Sequence, residues 1–240
     1  MVSTRPETEA AEAEYESFLA QGGLDREDLR HVLLEEAPLV DAFSPDEVSG
    51  VIIGGSPYDV SSPSGLKTHS QMRVEEGVSE MLAAALKGGV PVLATGFGLE
   101  VLLTYLGGEL SREFAEPLGA ATIFLSEEGQ SDPVLEGLPR TFTTFVGHHE
   151  GAAEVPEPAV LLASSADCPV QMVRVGTKVY GTQFNPELDA ERFEQRMSIY
   201  ADAGYGDAGQ VDNILAEARS GHDYEAGRII RNFVEYFARD

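Results

Sequence analysis

Short apolar runs alternate with amphipathic segments along most of the chain, and this alternation predicts strands followed by helices. Buried strands are predicted at residues 51–53 and 90–94, where apolar side chains follow one another without interruption. The segment 71–87 between them places apolar side chains at helical spacing and ends at two glycines, so it is predicted to be a long helix. Such alternation is typical of a parallel sheet with helices on both faces.

Further strands and helices are predicted on either side of this centre from apolar spacing and from Gly or Pro at their ends. The predicted strands lie at residues 2–4, 29–35, 110–125, 141–146, 160–165, 170–175 and 179–184. The predicted helices lie at residues 9–19, 189–200, 211–219 and 224–237, and residues 38–47 and 126–133 are predicted connections. The segments 110–125 and 141–146 are expected to form a small antiparallel addition to the sheet. Because no internal repeat or low-complexity linker divides the chain, residues 1–240 are predicted to form a single domain.

The most informative stretch is the corner at residues 95–98, between the strand at 90–94 and an apolar helix that begins near Leu99. Strand, tight corner and helix form the geometry of a nucleophile elbow, which presents a reactive side chain at a helix N-terminus. Here the corner carries Gly96, which has no nucleophilic atom. A second glycine-rich turn at residues 54–57 follows the strand at 51–53, where glycines let backbone N–H groups approach a ligand.

Charge and cysteine content narrow the choice of partners and compartment. The chain has 41 acidic and 16 basic residues and a net charge of -25, which disfavours nucleic acid because phosphate contacts need clustered Lys and Arg. We interpret the acidity as a solvated surface. The single cysteine, Cys168, excludes an internal disulfide and fits a reducing compartment. No apolar run is long enough to span a membrane and no secretory signal is visible, so we expect a cytoplasmic protein.

Three motifs in one order resemble the class I glutamine amidotransferase domain, the module that releases ammonia from glutamine in enzymes such as GMP synthase. They are the turn at residues 54–57, the corner at 94–100, and the sequence Tyr-Gly-Thr-Gln-Phe-Asn-Pro-Glu at 180–187. The resemblance extends over about residues 4–237 and points to stand-alone members of the GMP synthase amidotransferase type, similar to actinobacterial ones. It implies a flavodoxin-like α/β fold: an open, mostly parallel sheet with helices on both faces and a small antiparallel addition.

The resemblance also implies that the reagents for hydrolysis are missing. In that family the corner reads Gly-x-Cys-x-Gly-x-Gln and the late motif reads Gln-Phe-His-Pro-Glu, so that the cysteine attacks, the histidine moves the proton and the glutamate orients the histidine. Gly96 stands at the cysteine position, Asn185 stands at the histidine position, and only Glu187 is retained. Glu100 replaces the amide that contacts glutamine. We therefore predict that the chain does not hydrolyse glutamine, and that Cys168 is a structural turn residue.

Two hypotheses follow for the function of the pocket in which Gly96 and Asn185 replace the cysteine and the histidine. The first is acid–base chemistry on a small metabolite, with Glu100, His148 and Glu187 as candidate catalytic residues. The second is a pseudoenzyme that binds a small molecule or regulates a partner, and a related alternative is an amidotransferase subunit that retains glutamine binding only. The residues expected to line the ligand site are Gly54, Gly55, Ser56, Tyr58, Gly96, Phe97, Glu100, His149, Glu150 and Asn185. No cofactor is expected, and a homodimer or a partner protein is left open.

The directions in which the Glu100, His148 and His149 side chains point decide whether each of them faces the pocket. Glu100 either faces the pocket or lies exposed in the first turn of its helix, where the helix dipole favours a carboxylate. Metal binding by His148, His149 and Glu150 is disfavoured, because adjacent residues on a strand point to opposite faces. The resemblance places the histidine that corresponds to His148 beside the substrate, so we expect His148 to point inward and expect no metal site.

Overall fold

The computed structural model describes residues 1–35, 47–202, 213–216 and 225–238. Its strands are β1 (Val2–Ser3), β2 (Val32–Leu33), β3 (Val51–Ile53), β4 (Val92–Thr95), β5 (Leu110–Ser111), β6 (Glu116–Leu125), β7 (Thr141–His148), β8 (Gly151–Ala152), β9 (Ala159–Ser164), β10 (Met172–Val175) and β11 (Val179–Thr182). Nine of them form one sheet in the order β2-β1-β3-β4-β11-β10-β9-β6-β7, and β5 pairs with β8 in a separate ribbon.

The helices cover the sheet on both faces, as the sequence predicts. They are α1 (Thr8–Gly22), α2 (His69–Gly88), α3 (Phe97–Tyr105), α4 (Glu127–Gln130), α5 (Ala190–Asp202) and α6 (Gly227–Phe237), and residues 213–216 are also helical. Short 3-10 turns occur at Ser64–Leu66, Arg112–Phe114 and Pro133–Leu135. No helix in the described ranges is long and apolar enough to cross a membrane.

Successive side chains of β3 and β4 point to opposite faces of the sheet, and this alternation creates the two layers of the core. Ile53 and Val92 pack on one face of the sheet with apolar side chains of α2 and α3. Ile52 and Leu93 point to the opposite face and pack with α1 and α6, where Phe233 is buried. Because every side chain of these two strands is buried, their sequences are apolar except for Thr95 at the end of β4.

The sheet has a parallel half and an antiparallel half. β2, β1, β3, β4 and β11 are joined by parallel pairings, and β11, β10, β9, β6 and β7 are joined by antiparallel ones. The antiparallel part is therefore larger than the small addition that the sequence suggests. The reason is the long hairpin of β6 and β7, whose paired residues run from Glu116 with His148 to Phe124 with Thr141.

Several predicted boundaries differ from those of the structure. The predicted strand at 110–125 is interrupted, because Ser111 accepts a hydrogen bond from the backbone N–H of Glu113 and begins a 3-10 turn. The predicted connection at 126–133 contains α4, whose N-cap is Ser126. Similarly, α2 begins at His69 rather than at residue 71, because the Thr68 side chain caps it. The predicted connection at 38–47 and the predicted helix at 211–219 lie mostly outside the described residues.

Candidate functional site

The corner between β4 and α3 has the backbone of an elbow. Gly96 has φ 51° and ψ -113°, a conformation that strains residues with a side chain. Its N–H donates to the Thr182 carbonyl oxygen at 2.7 Å, and its carbonyl oxygen accepts from the Glu100 N–H at 3.1 Å. A Cβ atom at this position would meet the Gly55 Cα at 3.7 Å, an ordinary contact. The corner therefore has room for a side chain, but Gly96 presents only backbone atoms there.

The glycine pair at the end of β3 contacts a buried carboxylate. The Gly55 N–H donates to Glu14 Oε1 at 3.1 Å, and Arg5 Nε donates to the same oxygen at 3.0 Å. A Cβ atom on Gly54 would collide with the Glu14 carboxylate, which is fully buried. The two glycines thus allow Glu14 to pack against the end of β3. The Gly55 N–H, which the sequence suggested would contact a ligand, already donates to Glu14.

Glu187, the retained glutamate of the late motif, belongs to the same buried group. Arg196 Nη1 donates to Glu187 Oε1 at 2.7 Å, and Arg196 Nη2 lies 3.8 Å from Glu14 Oε1. We call Arg5, Glu14, Glu187 and Arg196 the Arg–Glu cluster; all four side chains are buried. Burial raises the pKa of Glu187, although Arg196 opposes the shift. Glu187 is therefore held by an arginine, a partner that sequence analysis missed.

Two backbone hydrogen bonds hold Asn185 in place. Its N–H donates to the Phe145 carbonyl oxygen at 2.9 Å, and its own carbonyl oxygen accepts from the Leu188 N–H at 3.2 Å. This isolated bridge joins the late motif to β7, the last strand of the antiparallel half. The half-buried carboxamide of Asn185 has no nitrogen that titrates near neutral pH, so it cannot act as a general base.

Glu100 is buried rather than exposed. Only 4% of the residue is accessible to solvent, so the alternative of a solvated carboxylate at the helix terminus is wrong. Gln183 Nε2 donates to Glu100 Oε1 at 2.9 Å. Burial raises the pKa of Glu100 well above its ordinary value, and the negative charges of Glu150 and Asp59 add to this shift.

His148 also points inward, but its ring is fully engaged. Its Nδ1 donates to the Glu150 carbonyl oxygen at 2.8 Å, and its Nε2 lies 2.8 Å from Glu116 Oε2. Glu116 further accepts from Ser165 Oγ at 2.8 Å and from Gln171 Nε2. Both ring nitrogens of His148 therefore belong to a buried network that joins β6, β7 and the residues around β10.

The two residues that follow His148 face different surroundings. His149 is exposed, and its Nδ1 lies 2.9 Å from Asp59 Oδ1. Glu150 is buried and accepts from the backbone N–H of Ser61 at 3.0 Å and from the Ser61 hydroxyl. His148, His149 and Glu150 are thus directed to three separate partners, which argues against their binding one metal ion.

A different trio of potential metal ligands does come together. One ligand atom from each of Glu116, His148 and Cys168 lies within 4.8 Å of the others, and all three residues are buried. Burial raises the pKa of the Cys168 thiol to about 12, so the sulfur keeps its proton. Because a metal ion binds the thiolate, this shift opposes metal binding by the trio.

The remaining residues expected to line the ligand site lie at the ends of β3 and β4. Ser56 Oγ donates to the Thr4 carbonyl oxygen at 3.1 Å. The Tyr58 hydroxyl donates to Glu35 Oε1 at 2.6 Å. The rings of Tyr58 and Phe97 contact each other edge to face, with their centroids 6.3 Å apart. Phe97 begins α3 directly after the corner. Phe97 is only 2% exposed and packs in the core, so its side chain does not line an open ligand site as expected, and the half-buried Tyr58 packs against it.

The sequence of the chain can now be compared with known families. A family model described as glutamine amidotransferase class-I matches residues 26–199. The chain belongs to the class I glutamine amidotransferase family. Among relatives of this chain, the glutamine-hydrolyzing GMP synthase of Leifsonia xyli is 30% identical over 187 residues, which are 72% of this chain and 35% of that protein. The chain thus corresponds to about a third of that longer relative.

A second relative is nearer in length. It is named as one subunit of the glutamine-hydrolyzing GMP synthase of Methanocaldococcus jannaschii, and it is 28% identical over 152 residues, which are 63% of this chain and 71% of that protein. The structure of a glutamine amidotransferase from Thermotoga maritima superimposes with a TM-score of 0.73 at 17% identity, covering 98% of this chain and 96% of that one. This likeness confirms the flavodoxin-like α/β fold that the motifs of the amidotransferase implied.

Proposed function

We propose that this amidotransferase homologue binds a small molecule at the corner between β4 and α3 and does not hydrolyse glutamine. The observation that carries the proposal is Gly96, which occupies the strained elbow position and has no side chain. Covalent hydrolysis of an amide needs a nucleophile there, activated by a neighbouring base. Asn185 cannot supply that base.

The hydrogen bond between Gly55 and Glu14 supports the same conclusion. Hydrolysis passes through a tetrahedral oxyanion, and backbone N–H groups near the nucleophile stabilise it. In this chain the Gly55 N–H donates to the buried Glu14 carboxylate at 3.1 Å. A substrate oxygen would have to displace this carboxyl group, which Arg5 Nε also holds at 3.0 Å.

Ligand binding is better supported than the alternative of acid–base chemistry. Of the three candidate catalytic residues, Glu187 is paired with Arg196 and His148 is paired with Glu116. Glu100 is the remaining candidate, and its raised pKa is the one observation that favours acid–base chemistry. A single buried carboxyl can bind and orient a ligand without turnover, so we assign Glu100 a binding role.

A role as a non-catalytic component of a larger assembly is the second candidate. The relatives from Methanocaldococcus jannaschii and Methanococcus aeolicus are each named as one subunit of a GMP synthase, which implies that those proteins have a partner. We extend this to the present chain only as a proposal: it would associate with a separate partner and leave ammonia production to another chain.

The decisive experiment measures ammonia release from L-glutamine. We expect no release by the wild-type chain, and little by the double variant Gly96→Cys/Asn185→His, because Glu14 still occupies the Gly55 amide. Adding Glu14→Gln to that double variant tests whether the carboxylate is the remaining obstacle. Release by the wild type that disappears in Glu100→Gln or Glu187→Gln would overturn the proposal, whereas release that persists in both variants would identify a contaminating glutaminase.

A further inference from the structure

The carboxylates around the corner differ in the partners that the structure gives them. Asp59 accepts from Arg112 Nη2 at 2.7 Å and lies beside His149. Glu150 accepts two hydrogen bonds from Ser61. Within the described part of the chain, the only hydrogen bond to the Glu100 carboxyl comes from the neutral Gln183 carboxamide.

The carboxamide of Gln183 has an unfilled acceptor of its own. Its nitrogen is held against Glu100 Oε1 at 2.9 Å, so its oxygen lies in the same small region. That oxygen is buried and has no hydrogen-bond donor among the residues that the structure describes. Gln183 is only 1% exposed. A buried carbonyl oxygen without a donor is unfavourable, so a ligand that supplies the donor binds more tightly.

We propose that the ligand of this site carries a positively charged nitrogen group, an ammonium or a guanidinium, that donates hydrogen bonds to Glu100 Oε2 and Gln183 Oε1. This inference rests on the proposed binding function and names the chemical class of the ligand. Both groups are acceptors, and Asp59 and Glu150 add negative charge on the same side. A group with several N–H donors and a positive charge satisfies both acceptors at once.

The charge preference separates this site from one that recognises a neutral amide. An anionic group would meet the Glu100, Glu150 and Asp59 charges and would be repelled. A neutral amide supplies donors but does not compensate the charge of a buried carboxylate, which is the larger cost. Binding a cation therefore favours the ionised form of Glu100 and opposes the rise in its pKa that burial causes.

The test uses probes with the same alkyl chain and either a cationic or a neutral head group. We would measure the binding of n-butylguanidine against n-butylurea, and of n-butylamine against 1-butanol, by calorimetry at pH 7.5. We expect at least one cationic probe to bind about tenfold or more tightly than its neutral counterpart.

Two variants and a matched control make the result specific. Glu100→Gln keeps the shape of the side chain and should remove the preference for the cationic probe, and Gln183→Met should weaken binding by a smaller factor. Glu113→Gln, which alters an exposed glutamate, should change nothing. Equal affinity of the charged and neutral probes, an unchanged preference in Glu100→Gln, or no binding of either cationic probe up to about 10 mM would overturn the inference. Tighter binding of the neutral probes than of the cationic ones, without ammonia release, would overturn this inference while leaving the proposed function standing.

Discussion

Two groups of buried carboxylates flank the corner, and they differ in what neutralises them. In the Arg–Glu cluster, Glu187 faces Arg196 at 2.7 Å and Glu14 faces Arg5 at 2.9 Å. Glu100, which is nearly as buried, faces only a neutral carboxamide within the described structure. Burial of an acidic side chain is therefore not enough to indicate a binding site. Glu100 differs from Glu14 and Glu187 in having no cationic partner among the described residues, and this difference is why we propose that it contacts a ligand.

Removing a cation from the Arg–Glu cluster should have the largest effect on stability. Arg196→Ala leaves Glu187 without its guanidinium in a fully buried position, and we expect a loss of about 3–5 kcal/mol in the free energy of unfolding. Chemical denaturation measures this loss. Arg192→Ala is the matched control, because Arg192 lies on the same helix and pairs with the partly exposed Asp189. Its expected loss is below about 1 kcal/mol. Equal losses in the two variants would show that the cluster does not stabilise the fold.

A side chain at the corner should have an intermediate effect. Gly96→Ala forces a residue with a Cβ atom into a positive φ of 51°, and we expect a loss of about 1–3 kcal/mol from backbone strain alone, since no close contact would form. Thermal melting followed by circular dichroism would measure it. Gly65→Ala is the control, because Gly65 has open space around it and lacks a positive φ. If both variants melt together, the elbow is not strained.

The smallest expected effect is on the pH dependence of stability, which should reveal the raised pKa of Glu100. The pKa of Glu100 is raised above its ordinary value of 4.5, so its contribution to stability is complete below that pH and is lost as the pH rises toward the folded-state pKa. Glu100→Gln cannot ionise, and it should therefore gain stability relative to the wild type between about pH 5 and pH 8. Denaturation curves at several pH values measure the difference. A constant difference across this range would contradict the raised pKa.

Much of the fold follows from local patterns, because burial on both faces of a parallel strand requires an apolar run. The strands at 51–53 and 92–95 and the helix between them are predicted from such runs, and the corner at Gly96 follows from the small residues between a strand and an apolar helix. The size of the antiparallel half was less predictable. Strand pairing there depends on contacts such as Glu116 with His148, which lie far apart along the chain.

The partners of the candidate residues could not be found from the sequence. Glu14 lies in a helix rich in Ala and Glu whose composition suggests a solvated face, yet it is buried and contacts Gly55 across 41 positions. Gly54 and Gly55 suggested an anion-binding turn, and a carboxylate of the chain itself occupies that place. His148 was correctly expected to point inward, but nothing in its neighbourhood along the chain indicated Glu116 as the partner of its ring.

The contact between Ser61 and Glu150 has a consequence for the rate of ligand exchange. The two residues are 89 positions apart, and the contact fastens the loop after β3 to the segment between β7 and β8. If the loop swings away, the buried Glu150 loses its hydrogen bonds from Ser61 in one step, and a buried acceptor without donors is unfavourable. For the proposed ligand we therefore expect this contact to slow binding and release alike, and we expect the equilibrium affinity to depend on Glu100 and Gln183.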